Sequence, residues 1–334
     1  MSHWRHFPCR LPHCIESSKE AHRKRPREVF VPTNAHQAQE EFRIASKRSD
    51  RRGGEMMHDC RVGVIGVGNM GKGIATSYLR AGYATGVYDV DPAVMQELAT
   101  LAAELADSPS DLAAHCQLIS IAVRGEEQLE AAAYGPDGLL SGVRAGTTLV
   151  LHTNVPFAYT HRLAEQAAIR DARVLEATMT GGISAAASGS LTLMLAGDCE
   201  LAEECWPTLR AIARRRLYLG TLGAAGLCKA IQDTLFGLHH QTTHEMLQLA
   251  LAAGVDADRL FEALCAKGWL LERWHEYWTP DGNETIGRSL TTPRMPLRTF
   301  TPWLWALADE LGVDIPPAVR QRCSRFRCSI SIHR

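Results

Sequence analysis

A glycine-rich turn, Gly66-Val67-Gly68-Asn69-Met70-Gly71, joins the β-branched apolar run CRVGVIG to the helical segment GKGIATSYLRAG. A G-x-G-x-x-G turn between a strand and a helix is typical of dinucleotide-binding folds. Its first glycine permits the sharp bend, its second lets the backbone approach a pyrophosphate, and its third lets the helix pack close to the strand. A glycine-rich turn without a ligand is the alternative. We interpret residues 66–71 as a cofactor-binding turn.

An aspartate, Asp89, ends the next apolar run within VYDVD. A carboxylate at this place can accept both ribose hydroxyls of NAD, and it would repel the 2′-phosphate of NADP. No arginine immediately follows it. Asp91 is the competing carboxylate, but Pro92 predicts that Asp91 instead caps the next helix. The sequence therefore favours NAD over NADP as the cofactor.

Strand patterns and helix patterns alternate from Cys60 to residue 220. After CRVGVIG, the predicted strands cover residues 84–90, 117–123, 147–153, 174–178 and 216–220. Predicted helices cover residues 91–106 and 156–171. This alternation predicts an α/β fold, a Rossmann-type doubly wound parallel sheet over residues 57–220.

Beyond residue 220 the strand patterns stop. Residues 223–254 form one long helical pattern, and two further helical segments cover residues 256–268 and 302–312. An all-helical domain built on one long helix is therefore predicted over residues 221–317.

The two ends of the chain differ from this pattern. Residues 1–56 are rich in charged residues and proline and lack an apolar period, which predicts a disordered or non-native N-terminal extension. Order begins abruptly after Met56 and Met57, so either methionine is a candidate natural start. Residues 318–334 are basic and lack helical periodicity, which indicates an irregular tail.

Charge and cysteine usage restrict the partners and the compartment. A net charge of −1 gives no basic footprint for nucleic acid. No apolar run is long enough to span a bilayer, so no membrane partner is predicted. The ten cysteines are scattered, which favours reduced thiols in the cytoplasm. The pairs Cys9/Cys14 and Cys323/Cys328 are a weak zinc pattern, and we predict no metal site.

Four ordered segments carry a family resemblance. They are GVIGVGNMGKGIATSYLRAGY, GTTLVLHTNVPFAYTHRLAE, VLEATMTGGISAAASGSLTLMLAG and GTLGAAGLCKAIQDTLFG. Together they resemble the 3-hydroxyisobutyrate dehydrogenase family, the β-hydroxyacid dehydrogenases. The resemblance implies a Rossmann domain followed by a helical domain, a small carboxylate substrate, and a homodimer or homotetramer.

The resemblance also implies roles for particular residues. Thr180, Gly181 and Gly182 would hold the substrate carboxylate through a hydroxyl and backbone amides. Thr153 would lie near the substrate and the nicotinamide, and Lys229 would be the acid/base at the substrate oxygen. The alternatives are a tight turn for the glycines, a local cap for the Thr153 hydroxyl, and a solvated head for Lys229.

Some positions depart from the family pattern. Leu151 stands where the family has aspartate, and Asn154 stands where it has threonine. Ala122-Val123 replaces the usual Leu-Pro. Asp233 stands where the family usually has an active-site asparagine. These departures bear on which substrate is used and on whether activity is retained.

Asp233 follows Lys229 by four residues, so a helix places both side chains on one face. An ionised Asp233 would keep Lys229 charged, which makes it a poor base and a good acid. We therefore expect a bias toward carbonyl reduction at neutral pH, with the alcohol oxidised best at high pH. Alternatively, a protonated Asp233 would imitate asparagine as a donor.

The leading prediction is an NAD(P)-dependent oxidoreductase acting on the CH–OH group of a small 3-hydroxy acid or on its semialdehyde, with lysine acid/base catalysis. A sugar-acid or phosphosugar-acid dehydrogenase of the same superfamily is the alternative among enzymes. The other alternative is a degenerate NAD(P)-binding protein without turnover.

Overall fold

A computed structural model of the chain describes residues 60–266, 297–317 and 320–321. The predicted extension over residues 1–56 and both C-x4-C pairs lie outside the described residues, as does nearly all of the predicted tail.

The described strands form one eight-stranded sheet in the order β3-β2-β1-β4-β5-β6-β7-β8. The strands are β1 (Val62–Ile65), β2 (Thr85–Tyr88), β3 (Glu104–Leu105), β4 (Leu118–Ile121), β5 (Thr148–Leu151), β6 (Arg173–Thr180), β7 (Leu191–Ala196) and β8 (Ala213–Tyr218). All neighbouring strands are parallel except β6 and β7, which pair antiparallel. The predicted doubly wound sheet is confirmed, with one antiparallel pair that the sequence did not indicate.

Helices cover both faces of this sheet and continue beyond it. They are α1 (Asn69–Arg80), α2 (Pro92–Ala99), α3 (Pro109–His115), α4 (Gly125–Tyr134), α5 (Leu139–Gly142), α6 (Phe157–Ala168), α7 (Gly182–Ser188), α8 (Cys199–Leu209), α9 (Ala224–Ala252), α10 (Ala257–Ala266) and α11 (Leu297–Glu310). One apolar cluster joins α1, α7 and α8 to one sheet face. A second apolar cluster packs helices α3, α4, α5 and α6 against the other face of the sheet. The apolar strands are buried on both sides, as parallel strands covered by helices must be.

The antiparallel direction of β7 follows from the short connection before it. β6 ends at Thr180 and β7 begins at Leu191, with the seven-residue helix α7 between them. A crossover to a parallel neighbour needs a dozen or more residues, which this segment does not supply. The chain therefore turns back beside β6.

The helix predicted over residues 91–106 is wrong in its second half. Helix α2 ends at Ala99, and Ala102 takes a left-handed conformation with φ of 68°. The short strand β3 then pairs with β2 at the sheet edge. Apolar composition alone did not reveal this break, because alanine and leucine also suit a helix.

The remaining helices pack around the long helix α9, which also contacts β6 and β7. Helices α10 and α11 both contact α9. This is the helical region that the sequence predicted, although the proposed limits of the domains stay predictions. Within residues 60–266, 297–317 and 320–321, every helix is too short or too polar to cross a membrane.

Candidate active site

The predicted cofactor turn begins α1 at the carboxyl end of β1. Gly66 has a φ of +84°, which disfavours any side chain at this bend. A Cβ atom at Gly71 would overlap the carbonyl oxygen of Gly66, so the helix and the turn approach each other as the sequence predicted. A Cβ atom at Gly68 would meet nothing within 4 Å. The turn therefore leaves open space at the one glycine that is expected to face a pyrophosphate.

Asp89 holds the same turn from the end of β2. Its Oδ2 accepts a hydrogen bond from the Val67 amide at 2.7 Å, and its Oδ1 accepts one from the Asp91 amide at 3.0 Å. Asp91 in turn accepts from the Ala93 amide at 2.9 Å, so its predicted role as the cap of α2 is confirmed. The carboxylate of Asp89 is therefore fixed beside the cofactor turn.

Thr153 and Asn154 follow β5. The Thr153 hydroxyl is buried and donates to the carbonyl oxygens of Ile121 at 3.3 Å and Val123 at 3.1 Å. Both acceptors lie at or just after the end of the neighbouring strand β4, 30 to 32 residues earlier in the chain, and any ligand would use the lone pairs of this oxygen. The amide oxygen and nitrogen of Asn154 are buried, and neither has a hydrogen-bond partner in the described part of the chain.

Thr180 and Gly181, the first two residues of the segment Thr180-Gly181-Gly182, line a small polar cavity. Gly181 and Gly182 have φ of 131° and 75°, so both take conformations that favour glycine. The cavity has a volume of about 350 Å³ and is lined by Thr180, Gly181, Ser184, Ala185, Ser190 and Thr192. Thr180 and Thr192 are directly opposed across the β6–β7 pair, so their side chains share one sheet face. Hydroxyl groups therefore dominate this lining.

Lys229 and Asp233 form an ion pair on α9. The Lys229 Nζ donates to Asp233 Oδ1 at 2.6 Å, and the side chains are only 16% and 5% exposed. The predicted reach of Asp233 to Lys229 is confirmed. Burial raises the pKa of Asp233, and the nearby Lys229 partly opposes that rise. Ala225, Lys229 and Asp233 follow one another at four-residue intervals. The ion pair therefore lies on the same face of α9 as Ala225, which is buried.

Glu176 is the site residue that sequence reasoning missed. It is 1% exposed, and its carboxylate accepts three backbone amides at the start of α9, those of Gly223 at 2.9 Å, Ala225 at 3.2 Å and Gly226 at 2.9 Å. Burial raises the pKa of Glu176 to about 7, although the three amides oppose the rise. The available signal was a single acid within the otherwise apolar strand segment VLEAT.

A second missed feature is a buried polar chain beneath Thr153. His152 shares a hydrogen bond with the Ala177 carbonyl oxygen at 2.7 Å and another with the Ser120 hydroxyl at 3.1 Å. The Ser120 hydroxyl also contacts the Tyr78 hydroxyl at 3.2 Å. Burial lowers the pKa of His152 to about 4, so its ring is neutral at pH 7. This chain links α1, β4, β5 and β6 below the site.

Contacts connect the cofactor turn to the lysine helix. A Cβ atom at Gly66 would lie 2.9 Å from Val123, whose carbonyl receives the Thr153 hydroxyl. A Cβ atom at Gly226 would lie 3.5 Å from the Asn154 amide oxygen. Because the strand order reverses between β1 and β4, these segments surround the crevice where open α/β sheets bind ligands. These contacts thus connect the cofactor turn to the segment after β5, and that segment to the first turn of the lysine helix.

Known proteins resemble this chain in sequence. Residues 61–220 match the domain family called the NAD binding domain of 6-phosphogluconate dehydrogenase. An L-threonate dehydrogenase from Cupriavidus necator is 32% identical over 215 residues, covering 63% of this chain and 72% of the relative. A 3-hydroxyisobutyrate dehydrogenase from Pseudomonas aeruginosa is 27% identical over 203 residues, covering 61% of this chain and 68% of the relative. The chain belongs to the 3-hydroxyisobutyrate dehydrogenase family of hydroxyacid dehydrogenases.

The fold agrees with this membership. A crystal structure of 3-hydroxyisobutyrate dehydrogenase from Salmonella typhimurium superposes with a TM-score of 0.69 at 24% identity, covering 79% of this chain and 92% of that one. The relatives named above are dehydrogenases of hydroxy acids. The predicted family and enzyme class, an oxidoreductase acting on CH–OH groups, are therefore confirmed, and so is the presence of an NAD-binding domain.

Two alanine substitutions separate the roles of the glycines. Gly68→Ala places its Cβ in open space, so we expect unchanged stability but NADH affinity weakened by roughly tenfold, about 1.4 kcal/mol. Gly71→Ala overlaps the Gly66 carbonyl, so we expect a loss of about 1–3 kcal/mol of unfolding free energy. Chemical denaturation and NADH fluorescence titration measure both effects. Wild-type NADH affinity in folded Gly68→Ala would contradict the assigned approach of the pyrophosphate.

Proposed function

We propose that this chain is an NAD-dependent dehydrogenase or reductase of a small 3-hydroxy acid or its semialdehyde, with Lys229 as the acid/base. The observation that carries the proposal is the position of Lys229. Its amine is largely buried on α9, and the first turn of α9 is bound to β6, the strand that ends in Thr180-Gly181-Gly182. A largely buried amine on the helix that β6 anchors suits proton transfer at a hydroxy-acid oxygen.

In this proposal each segment has a separate task. The turn from Gly66 to Gly71 and the carboxylate of Asp89 hold the cofactor, which supplies or accepts the hydride when bound. The backbone amides of Gly181 and Gly182, with the Thr180 hydroxyl, hold the substrate carboxylate. Lys229 gives a proton to the carbonyl oxygen during reduction and takes the hydroxyl proton during oxidation.

Asp233 sets the preferred direction in this proposal. The 2.6 Å contact stabilises the charged form of Lys229, which is the form that donates a proton. Reduction is then the favoured direction, because the ion-paired amine is held as a proton donor. Because burial raises the pKa of Asp233, the alternative in which Asp233 is protonated and acts as an asparagine-like donor has a physical basis.

The cavity supports a second candidate substrate class, a sugar acid. Thr180, Ser184, Ser190 and Thr192 offer four hydroxyl groups, and Ala185 is the largest apolar side chain among the lining residues. Hydroxyl groups of a substrate chain would find hydrogen-bond partners there, which a methyl group could not use. The six lining residues include no cation for a phosphate, so a phosphosugar acid is less well supported.

NAD is the proposed cofactor because Asp89 holds a negative charge beside the turn. The homodimer or homotetramer that the family resemblance implies, and the cytoplasmic location, stay proposals. Size-exclusion chromatography with light scattering measures the first of these.

A substrate panel tests the proposed reaction. We expect turnover with NADH or NAD on a panel of 3-hydroxy acids, semialdehydes and short sugar acids, and a loss of roughly 10²–10⁴-fold in kcat for Lys229→Ala with NADH binding retained. Lys229→Arg is the matched control, since it keeps the charge beside Asp233 but cannot release its proton, so it should also lose turnover. Cofactor binding without turnover across the panel would favour the degenerate protein instead.

The pH profile of Asp233→Asn tests the proposed direction. Removal of the negative charge should make neutral Lys229 available at lower pH, so the optimum for alcohol oxidation should move toward neutral. Initial rates of oxidation and reduction between pH 6 and pH 10 measure this. An unmoved oxidation profile would indicate that Asp233 is already protonated, or that the pair does not control the proton.

Cofactor preference is tested at Asp89. We expect the wild-type chain to bind NADH more tightly than NADPH. Asp89→Asn should lower the ratio of the NADPH to the NADH dissociation constant by roughly tenfold, because the repulsion of the 2′-phosphate is removed. Asp91→Asn is the matched control, since it keeps an oxygen for the cap of α2. Tighter binding of NADPH than NADH by the wild type would overturn the proposal.

A further inference from the structure

Glu176 occupies an unusual place for a carboxylate, inside the sheet under the start of α9. Along β6, Leu175 and Ala177 pack into the apolar cluster on one face, so Glu176, Thr178 and Thr180 point to the other. Glu176 binds the amides of the first turn of α9, and the Thr178 hydroxyl donates to the Ala225 carbonyl oxygen at 3.0 Å. One face of one strand therefore fixes the beginning of the lysine helix.

The amides that Glu176 accepts are those that a helix cannot satisfy internally. The first four N–H groups of any α-helix lack carbonyl partners within the helix, and the helix dipole concentrates positive charge there. Local caps are supplied by the residue just before the helix, but here the acceptor lies 47 to 50 residues earlier in the chain. The cap is therefore also a connection between the sheet and the helical region.

The contact is tight enough to define a position. A Cβ atom at Gly226 would lie 2.7 Å from Glu176 Oε1, so only glycine allows this approach. Lys229 follows Gly226 by three residues, about 4.5 Å along the helix axis. A shift of the first turn would therefore move the Lys229 amine relative to Thr180 by a similar amount.

We propose that Glu176 is a positioning residue: its ionised carboxylate, by accepting three amides of the first turn of α9, sets where Lys229 stands at the substrate oxygen. This inference rests on the proposed function of Lys229. A protonated Glu176 would turn one acceptor oxygen into a hydroxyl that meets an amide N–H. One anchoring bond would then be lost and the first turn would loosen.

Glu176 changes its protonation state within a pH range in which the protein can be studied, because burial raises its pKa from 4.5 to about 7. The folded chain then holds this proton more tightly than the unfolded chain does. The stability contributed by the group is therefore fully present below about pH 4.5 and is lost as pH rises through about 7. Among the described residues, the titratable side chains near this anchor are His161 of α6, beside Gly223, Cys228, which packs near Ala225, and the Lys229–Asp233 pair.

The experiment compares Glu176→Gln with the wild-type full chain between pH 5.5 and pH 8.5. We expect roughly a 10-fold to 100-fold lower kcat in the variant at pH 8, since small misplacements of catalytic groups have effects of this size. NADH affinity should stay within twofold, because the cofactor turn is elsewhere. Hydrogen exchange of the amides of residues 223–228, corrected for the intrinsic rate, should slow in the wild type as pH rises through about 7, and this step should be absent in the variant.

Two controls separate Glu176 from its surroundings. Glu203→Gln changes another buried glutamate, which pairs with Arg216, and should retain both the kcat and the exchange step. His161→Gln removes the neighbouring imidazole and should also retain the step. If the step disappears with His161 instead, the inference is overturned.

The remaining outcomes are also decisive. Wild-type kcat and wild-type exchange in folded Glu176→Gln would overturn the inference, as would a fall in NADH affinity as large as the fall in kcat. If Glu176→Gln does not fold, the exchange series on the wild type decides, and a flat series overturns the inference. If the wild type turns over no substrate, the proposed function fails, whereas the exchange readout still tests the anchor.

Discussion

The contact between a buried carboxylate and the first turn of α9 links the two parts of this molecule. Glu176 lies within the sheet, and the amides of Gly223, Ala225 and Gly226 belong to the start of the helical region. A charge so deeply buried is strongly disfavoured unless its hydrogen bonds are satisfied. Three amides and the helix dipole supply that compensation, so the sheet and the long helix must meet in this one arrangement.

The same contact shows how far sequence reasoning reaches. The Rossmann-type sheet, the long helix and the i,i+4 pair of Lys229 and Asp233 follow from short-range patterns, and the structure has all three. The anchoring role of Glu176 depends on a partner 47 to 50 residues away, which no local period specifies. The direction of β7 likewise depends on the length of α7, which the sequence pattern did not delimit.

Burial disfavours the ionised forms of both Asp233 and Glu176, and different partners oppose that effect at the two residues. Burial raises the pKa of both acids, so each is harder to ionise than in water. For Asp233 the opposing influence is a lysine charge, and for Glu176 it is a set of backbone dipoles. The chain therefore keeps one buried carboxylate on α9 and another against its first turn, and the ionised form of each is stabilised only by its hydrogen-bond partners.

One face of β6 carries three polar side chains in a row, and each has a different partner. Glu176 accepts backbone amides of α9, Thr178 donates to a backbone carbonyl of α9, and Thr180 lines the cavity. The residues that fix the lysine helix and the residue that begins the cavity therefore share one rigid strand. The other hydroxyls of the cavity belong to α7, to the segment before β7 and to β7 itself. Strand β7 also packs against Ala225 in the first turn of α9, so β6 and β7 together hold the start of that helix, and the same two strands supply Thr180 and Thr192 to the cavity.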